Sequence, residues 1–369
     1  MTKKKTKPRR GYGDGSYSYY PVMKRFRAYF MDPNGKRITK CFIEEQEAKD
    51  WLTIKKAEVI KQEYIAPSSE TLGGYSLYYL TAYCKNGVRA RTYERYLSLL
   101  AHAEPIADFA MQDLSAEHFI ELYAQIDRSG STKKKLHLLL KQILNQAVAD
   151  EKIRKNPVND IPKSSIPKIA PAEIETFSPD ELQKIFTAAE DSFYKNLFML
   201  FSVTGMRLSE GLGLRWKDFD SFLHRVHIRQ TLHRSLEKGL IFEEPKSAAS
   251  RRHISIPITL SKQISKMDRL HPILIFTNTQ GGALLPDVAI KAWQNLLKEA
   301  GVRYRGLHTL RHTHATLLLK AGTPITEVSR RLGHVRVSTT LDVYSHAIPA
   351  DDIAVVNTVN DIYNLKKPG

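Results

Sequence analysis

A polar heptad near the end of the chain, His308-Thr-Leu-Arg-His-Thr-His314, decides how the last domain is interpreted. Leucines follow it at helical spacing, which predicts a helix with His308 and Arg311 on one face. Three histidines in seven residues also suggest zinc, but their spacing fits no standard zinc pattern and no cysteine is near. We therefore predict no metal site, and we interpret His312 and His314 as core or supporting residues.

Two polar residues follow downstream, one in Leu332-Gly-His334 and the other at Tyr344, ten residues after that histidine. Glycine is typical of the residue that ends a helix, and Ser338 with the two threonines after it can cap the next helix. One tyrosine among seventeen is usually a packing residue, so Tyr344 gains meaning only together with the other segments.

Two upstream segments complete the set. Thr204-Gly-Met-Arg207 follows an apolar helix, and Glu210 lies three residues later on the same predicted helical face. An arginine and a glutamate at this spacing usually form a surface ion pair. Lys246 lies in the turn of a predicted hairpin, where a lysine could donate a proton or contact a base edge, although most hairpin lysines do neither.

The composition favours a nucleic-acid-binding protein. Lys and Arg number 56 against 39 Asp and Glu, and residues 1–40 alone carry twelve Lys or Arg against two Asp, a net charge of +10. Phosphate backbones attract such an excess, although a solubility tail would look the same. No apolar stretch is long enough to span a membrane, the start does not resemble a secretory signal, and two cysteines cannot build a disulfide framework. We expect a cytoplasmic protein.

The pattern along the chain predicts a multidomain fold with three parts. Residues 1–66 combine a basic tail with a small α+β domain, a three-stranded sheet plus a helix, whose hairpin turn is Asp32-Pro-Asn-Gly35. After a linker, residues 75–160 form an all-α domain. A proline-rich stretch leads to residues 172–369, a mainly α catalytic domain with a small β-sheet.

Two basic clusters outside the last domain are predicted to contact DNA. Lys24, Arg25 and Arg27 could join Tyr17 and Tyr19 on one basic, aromatic face of the small sheet, although the aromatics could instead be its core. The second cluster opens a long helix, where positive charge is unfavourable unless a polyanion offsets it. It comprises Lys133, Lys134 and Lys135.

Taken in order, the segments Thr-Gly-Met-Arg, His-Thr-Leu-Arg and Leu-Gly-His…Tyr resemble those of the tyrosine recombinase/integrase family. The resemblance covers the last domain closely and the helical domain by position and type. The first domain is similar, by pattern and charge, to the arm-type DNA-binding domain of lambda-like and conjugative-transposon integrases. The lysine segment has Pro-Lys-Ser where the family often has Lys-Thr.

The resemblance implies roles for the matching residues. Arg207 and Arg311 would hold the scissile phosphate, helped by His308 and His334. Tyr344 would attack the phosphorus to give a 3′-phosphotyrosyl bond, and Lys246 would protonate the departing 5′ oxygen. Glu210 would orient Arg207 or a histidine. No ATP, metal or other cofactor would be needed.

The same resemblance implies that the partner is duplex DNA with core-type and arm-type attachment sites, on which the protein would assemble as a homotetramer. It also implies two kinds of accessory protein, an excisionase and a host DNA-bending protein. Two alternatives stay open at this point. A type IB topoisomerase uses a similar residue set to relax supercoils but needs no arm-type domain. A DNA-binding regulator without catalysis would have no need of Tyr344.

Overall fold

The computed structural model describes residues 15–61, 64–170, 173–245 and 247–347. The chain divides into two compact units with the boundary after Ala170. Lys246 lies outside the described residues, as do the basic start of the chain and residues 348–369. Since this division gives two units where three domains are predicted, the bounds of the three domains stay predictions.

The first unit begins with an antiparallel sheet in the order β1-β2-β3. Its elements are β1 (Ser16–Tyr20), β2 (Arg25–Met31), β3 (Arg37–Phe42) and the helix α1 (Glu45–Ile60). The predicted turn at Asp32 is formed, and its carboxylate accepts the Lys36 backbone N–H at 2.7 Å. Ala28 and Phe30 of β2 pack on Ala48 and Leu52 of α1, and these four buried residues form a small core.

The register of this sheet corrects the predicted basic, aromatic face. Tyr17 pairs with Ala28 and Tyr19 pairs with Phe26, so both tyrosines share the α1 side of the sheet with the core residues of β2. Side chains alternate between the two faces of a strand, and Arg27 therefore lies on the opposite face. Tyr17 and Tyr19 were wrongly placed with the cations because the pairing register cannot be obtained from composition.

The rest of the first unit is helical. It contains α2 (Leu72–Tyr79), which continues as a π-helical turn (Leu80–Cys84), α3 (Ala90–Leu100), α4 (Ala116–Gln125) and α5 (Gly130–Ala149). Phe119, Leu140 and Ile143 are fully buried in the shared core of these helices. Lys133 and Lys134 are half-buried and Lys135 is exposed, all in the first two turns of α5.

The second unit surrounds a larger core with helices and two small sheets. The helices are α6 (Pro179–Ala188), α7 (Lys195–Thr204), α8 (Leu208–Leu212), α9 (Ile258–Ser265), α10 (Pro286–Glu299), α11 (His308–Lys320), α12 (Ile325–Leu332) and α13 (Val337–Tyr344). The strands are β4 (Phe219–Asp220), β5 (Arg225–Ile228), β6 (Thr231–Ser235), β7 (Gly239–Glu243) and β8 (Arg252–Ser255).

Strands β4, β5 and β8 form one antiparallel sheet, while β6 and β7 form a separate two-stranded ribbon. Trp293 is fully buried beside Phe198 and Phe177, and its indole N–H donates to the Arg305 carbonyl at 2.8 Å. The predicted fold class is confirmed in outline: a sheet-and-helix start, a helical middle and a mainly helical last unit with small sheets. Within the described ranges, none of the helices has the length and apolar character needed to cross a bilayer.

Candidate active site

Arg311 lies at the centre of the polar cluster in the second unit. It is only 3% exposed, yet its guanidinium donates to two backbone carbonyls, that of Gly205 at 2.7 Å and that of Leu332 at 2.9 Å. Both carbonyls belong to helix ends, because Gly205 and Gly333 adopt the left-handed conformation that stops α7 and α12. Burial lowers the pKa of Arg311 to about 9, helped by the nearby charge of Arg207, and the side chain stays charged at neutral pH.

Arg207 and Glu210 meet where α8 begins, as their spacing predicted. The Glu210 carboxylate accepts the Arg207 backbone N–H and its Nη1, each at 2.9 Å. Glu210 is buried, whereas the Arg207 side chain is 38% exposed. Burial alone would raise the pKa of Glu210, but Arg252 and Arg207 outweigh it and hold that pKa below its usual value. The carboxylate therefore stays ionised and anchors an arginine that faces outward.

Arg252 was not predicted, although it is part of the same cluster. Its guanidinium donates to both Glu210 carboxylate oxygens, at 3.1 and 2.9 Å, and its Nε donates to the Arg331 carbonyl at 2.7 Å. The Arg252 side chain is 6% exposed. A Cβ atom on Gly333 would lie 2.8 Å from Arg252 Nη1, so glycine is required there for space as well as for its backbone angle. Arg252 thus ties β8 to α8 and to the end of α12.

His334 follows directly after that glycine. Its Nε2 lies 2.9 Å from Arg311 Nη2, and its Nδ1 lies 2.8 Å from the hydroxyl of the fully buried Thr340. Because the guanidinium can only donate, Nε2 accepts and the proton lies on Nδ1 in this arrangement. Burial lowers the pKa of His334 to about 4, reinforced by Arg311 and Arg207, so the ring is neutral at neutral pH.

Tyr344 ends α13 with its side chain inside the unit, at 1% exposure. Its hydroxyl lies 2.7 Å from His312 Nδ1, and the two ring centroids are 5.7 Å apart. His308 lies one helical turn before His312, and the two imidazole rings meet at right angles with their centroids 4.8 Å apart. Burial raises the pKa of the Tyr344 phenol, and Arg311 opposes that shift. His312, which the sequence analysis interpreted as a core or supporting residue, therefore contacts the predicted nucleophile.

His314 is held away from Tyr344, on the other side of α11. Its Nε2 accepts from Arg331 Nε at 3.0 Å, and a Cβ on Gly205 would come within 2.8 Å of its ring. Burial lowers the pKa of His314 to about 3. Its predicted supporting role agrees with this position. No group of three or more His, Cys, Asp or Glu side chains suited to a metal occurs among the residues that the structure describes.

The structure thus brings together Arg207, Glu210, Arg311, His334 and Tyr344. His308 lies behind His312, whose ring separates it from Tyr344. The predicted DNA-contact lysines and arginines all belong to the other compact unit. Lys246 follows β7 and precedes Ser247. The predicted hairpin between the strands on either side of Lys246 was wrong, because β7 pairs with β6 and β8 pairs with β5.

The segment that contains this site is similar to known proteins. The phage integrase family matches residues 175–350, which contain all of the predicted catalytic positions. A tyrosine recombinase XerC-like protein of Caldanaerobacter subterraneus subsp. tengcongensis is 29% identical over 376 residues, covering 90% of this chain and 94% of that protein. The ICEBs1 integrase of Bacillus subtilis is 23% identical over 270 residues, covering 68% and 72%.

Solved structures show the same fold. The Tn1549 transposon integrase in complex with a circular intermediate DNA has a TM-score of 0.69 at 18% identity, covering 80% of this chain and 100% of that one. A lambda integrase dimer bound to a COC′ core site has a TM-score of 0.58 at 17% identity, covering 93% and 96%. Fold and site together define a tyrosine recombinase, an enzyme that transfers DNA strands. Residues 175–350, which contain this site, are similar to the phage integrase family.

Proposed function

We propose that the chain is an integrase that cuts and rejoins duplex DNA at defined sites through Tyr344, moving a mobile element into and out of host DNA. The observation that carries this proposal is the convergence of Arg311, His334 and Tyr344, from three different helices or helix ends, on one polar cluster. Relatives named as integrases and solved neighbours in complex with DNA support the same activity.

The two arginines would hold the scissile phosphate. Arg311 has five N–H groups, and three of them are engaged by the two helix-end carbonyls and by His334. Among the described residues nothing else accepts from the second Nη1 hydrogen or the Nε hydrogen, so both would be available for phosphate oxygens. Arg207 uses one Nη1 hydrogen on Glu210, which leaves its outward side free to fork onto the same phosphate. Both side chains are pre-positioned by protein contacts, so little reorganisation accompanies the reaction.

A phosphate oxygen would take the place between Arg311 Nη2 and His334 Nε2. In that arrangement the His334 ring must carry its proton on Nε2, so that Nε2 donates to the phosphate oxygen. Thr340 permits this exchange, because its hydroxyl can either accept from Nδ1 or donate to it. His308 is also neutral at neutral pH, since burial lowers its pKa to about 4, and it would add a second neutral donor.

The leaving 5′ oxygen needs a proton. The proposed donor is Lys246, an assignment that rests on its motif since the residue lies outside those described. Lys246 follows β7 along the chain, and its ammonium group would approach the departing oxygen after DNA has bound. The charge of +17 and the DNA-bound solved neighbours support duplex DNA as partner, and a lambda integrase tetramer bound to a Holliday junction supports a homotetramer. An excisionase and a host DNA-bending protein are further proposed partners.

The small sheet would bind a second, arm-type DNA site. Its face away from α1 carries Arg25, Arg27 and Arg37, together with Tyr20 and Tyr29. Arg37 stacks over the Tyr29 ring at 3.8 Å, while Arg25 and Arg27 are exposed. A flexible tether between two DNA-binding parts raises the local concentration of the second site. One protein could therefore bridge two DNA segments.

Strand exchange between two duplexes tests the proposal. Purified protein is incubated with two labelled DNA fragments that carry the ends of its element and the corresponding target. The expected result is a pair of recombinant fragments. Relaxation of a supercoiled plasmid without any recombinant fragment would indicate a topoisomerase instead, and binding without cleavage would indicate a regulator.

A further inference from the structure

We propose that His312 is the catalytic base of the cleavage step, the group whose Nδ1 accepts the phenol proton as Tyr344 attacks the phosphorus. This inference rests on the proposed function and adds a residue to it. The motif comparison assigns His308 and His334 to the phosphate but leaves the fate of the tyrosine proton open.

The geometry singles out His312. The distance between its Nδ1 and the Tyr344 hydroxyl is 2.7 Å, within the range of a short hydrogen bond. No second hydrogen-bond partner of that hydroxyl occurs in the part of the chain that the structure describes. His308 faces the His312 ring edge-on and makes no recorded hydrogen bond to the phenol among the described residues. His312 therefore has the proton transfer path, and His308 does not.

The surroundings of His312 keep it able to accept a proton. Within the described ranges, three titratable or charged groups face it, namely His308 and Arg311 on its own helix and Tyr344 on α13. Burial, followed by the charge of Arg311, lowers the pKa of His312 below the usual 6.5. The imidazole is thus neutral at neutral pH, and accepting at Nδ1 requires its own proton to be on Nε2.

The phenol needs such a base. Burial raises the pKa of Tyr344, so the hydroxyl does not ionise before it attacks. Arg311 opposes that shift, which shows that the same guanidinium proposed to hold the phosphate also acts electrostatically on the nucleophile. Deprotonation must then accompany bond formation, the situation in which a positioned base contributes most.

The step balances as follows. The Tyr344 proton moves to His312 Nδ1, a bond forms between the phenol oxygen and phosphorus, and the bond from phosphorus to the 5′ oxygen breaks. That oxygen takes a proton from the acid, proposed to be Lys246. On rejoining, the 5′ hydroxyl returns its proton to Lys246 and attacks the phosphotyrosine. The departing phenol oxygen then recovers its proton from the His312 imidazolium.

The test uses the full chain in single-turnover cleavage of a nicked suicide substrate. His312→Asn keeps an amide where Nδ1 was, and so keeps a hydrogen bond, but it cannot take up a proton. We expect cleavage to slow by about 100-fold while core-site binding is unchanged. Replacing Tyr344 by difluorotyrosine, whose phenol is more acidic, should remove most of that defect. His308→Asn is the matched control, and its defect should be the same with either phenol.

Two results would overturn the proposal: a His312→Asn rate equal to that of the unmutated chain, or a defect that difluorotyrosine leaves unchanged. If the variant fails to bind DNA, the pH–rate profile of the unmutated chain decides. Cleavage should fall as the pH drops through a pKa below 6.5, where His312 becomes protonated. A rate that stays level at every pH below 6.5 at which the protein still binds DNA would contradict the assignment. Failure of the proposed function would be distinct, since no variant would then form an adduct.

Discussion

The Arg311 cluster of the second unit and the basic face of the first-unit sheet both present arginines, but in opposite ways. Arg311 is buried and fixed by two helix-end carbonyls, whereas Arg25 and Arg27 are exposed on strand β2. A reaction at one phosphate requires hydrogen-bond donors that are held in place, and this requirement accounts for the burial of the Arg311 charge despite its energetic cost. Binding along a DNA backbone needs positive charge near many phosphates and tolerates mobile side chains. The contrast distinguishes the arginine proposed to hold the scissile phosphate from the arginines proposed to bind along DNA.

The largest effect is expected from changing one arginine of each kind to lysine. Lysine cannot reach both helix-end carbonyls and a phosphate, so Arg311→Lys should lower single-turnover cleavage by about 100- to 1000-fold. Arg27→Lys keeps the charge on an exposed strand and should leave cleavage unchanged. Similar losses in the two variants would remove the distinction between the two regions.

An intermediate effect is expected within the second unit, from two neighbouring arginines. Arg252 is buried on Glu210, whereas Arg251 forms an ion pair with Glu244 in which both side chains are mostly exposed. Arg252→Leu leaves a buried carboxylate short of a partner and should lower the free energy of unfolding by about 3 to 5 kcal/mol. Arg251→Leu should cost less than about 1 kcal/mol. Denaturant unfolding of both variants measures the difference, and equal losses would show that Arg252 is not a structural anchor.

The smallest effect is expected on the sheet face, where each contact is weak. Removing Arg25 or Arg27 should reduce the slope of log affinity against log salt by about one unit per arginine, with cleavage at core sites unaffected. Tyr17→Phe, on the α1 side of the sheet, is the matched control and should not change the slope. Footprints on attachment DNA check the same point, since protection confined to the crossover region would reduce this sheet to a nonspecific anchor.

Local patterns were enough for much of this architecture. The Asp32 turn and the pairing of Arg207 with Glu210 both depend on residues close in sequence. The contacts of Arg252 and His312 were not predicted because their partners lie 42 and 32 positions away, so these contacts arise only from packing. The side of the sheet on which Tyr17 lies was predicted wrongly for a similar reason, because the register of paired strands depends on tertiary structure.

The central claim is that Tyr344 is the nucleophile, and a mapped covalent adduct tests it most directly. The protein is trapped on a nicked suicide substrate and digested, and the peptide that carries the nucleotide is identified by mass spectrometry. We expect the phosphotyrosyl bond on Tyr344, and Tyr344→Phe should bind the core site without forming any adduct. Tyr304→Phe, at a 50% exposed tyrosine of the same unit, should form the adduct normally. An adduct that persists in Tyr344→Phe, or that maps to another residue, would contradict the account.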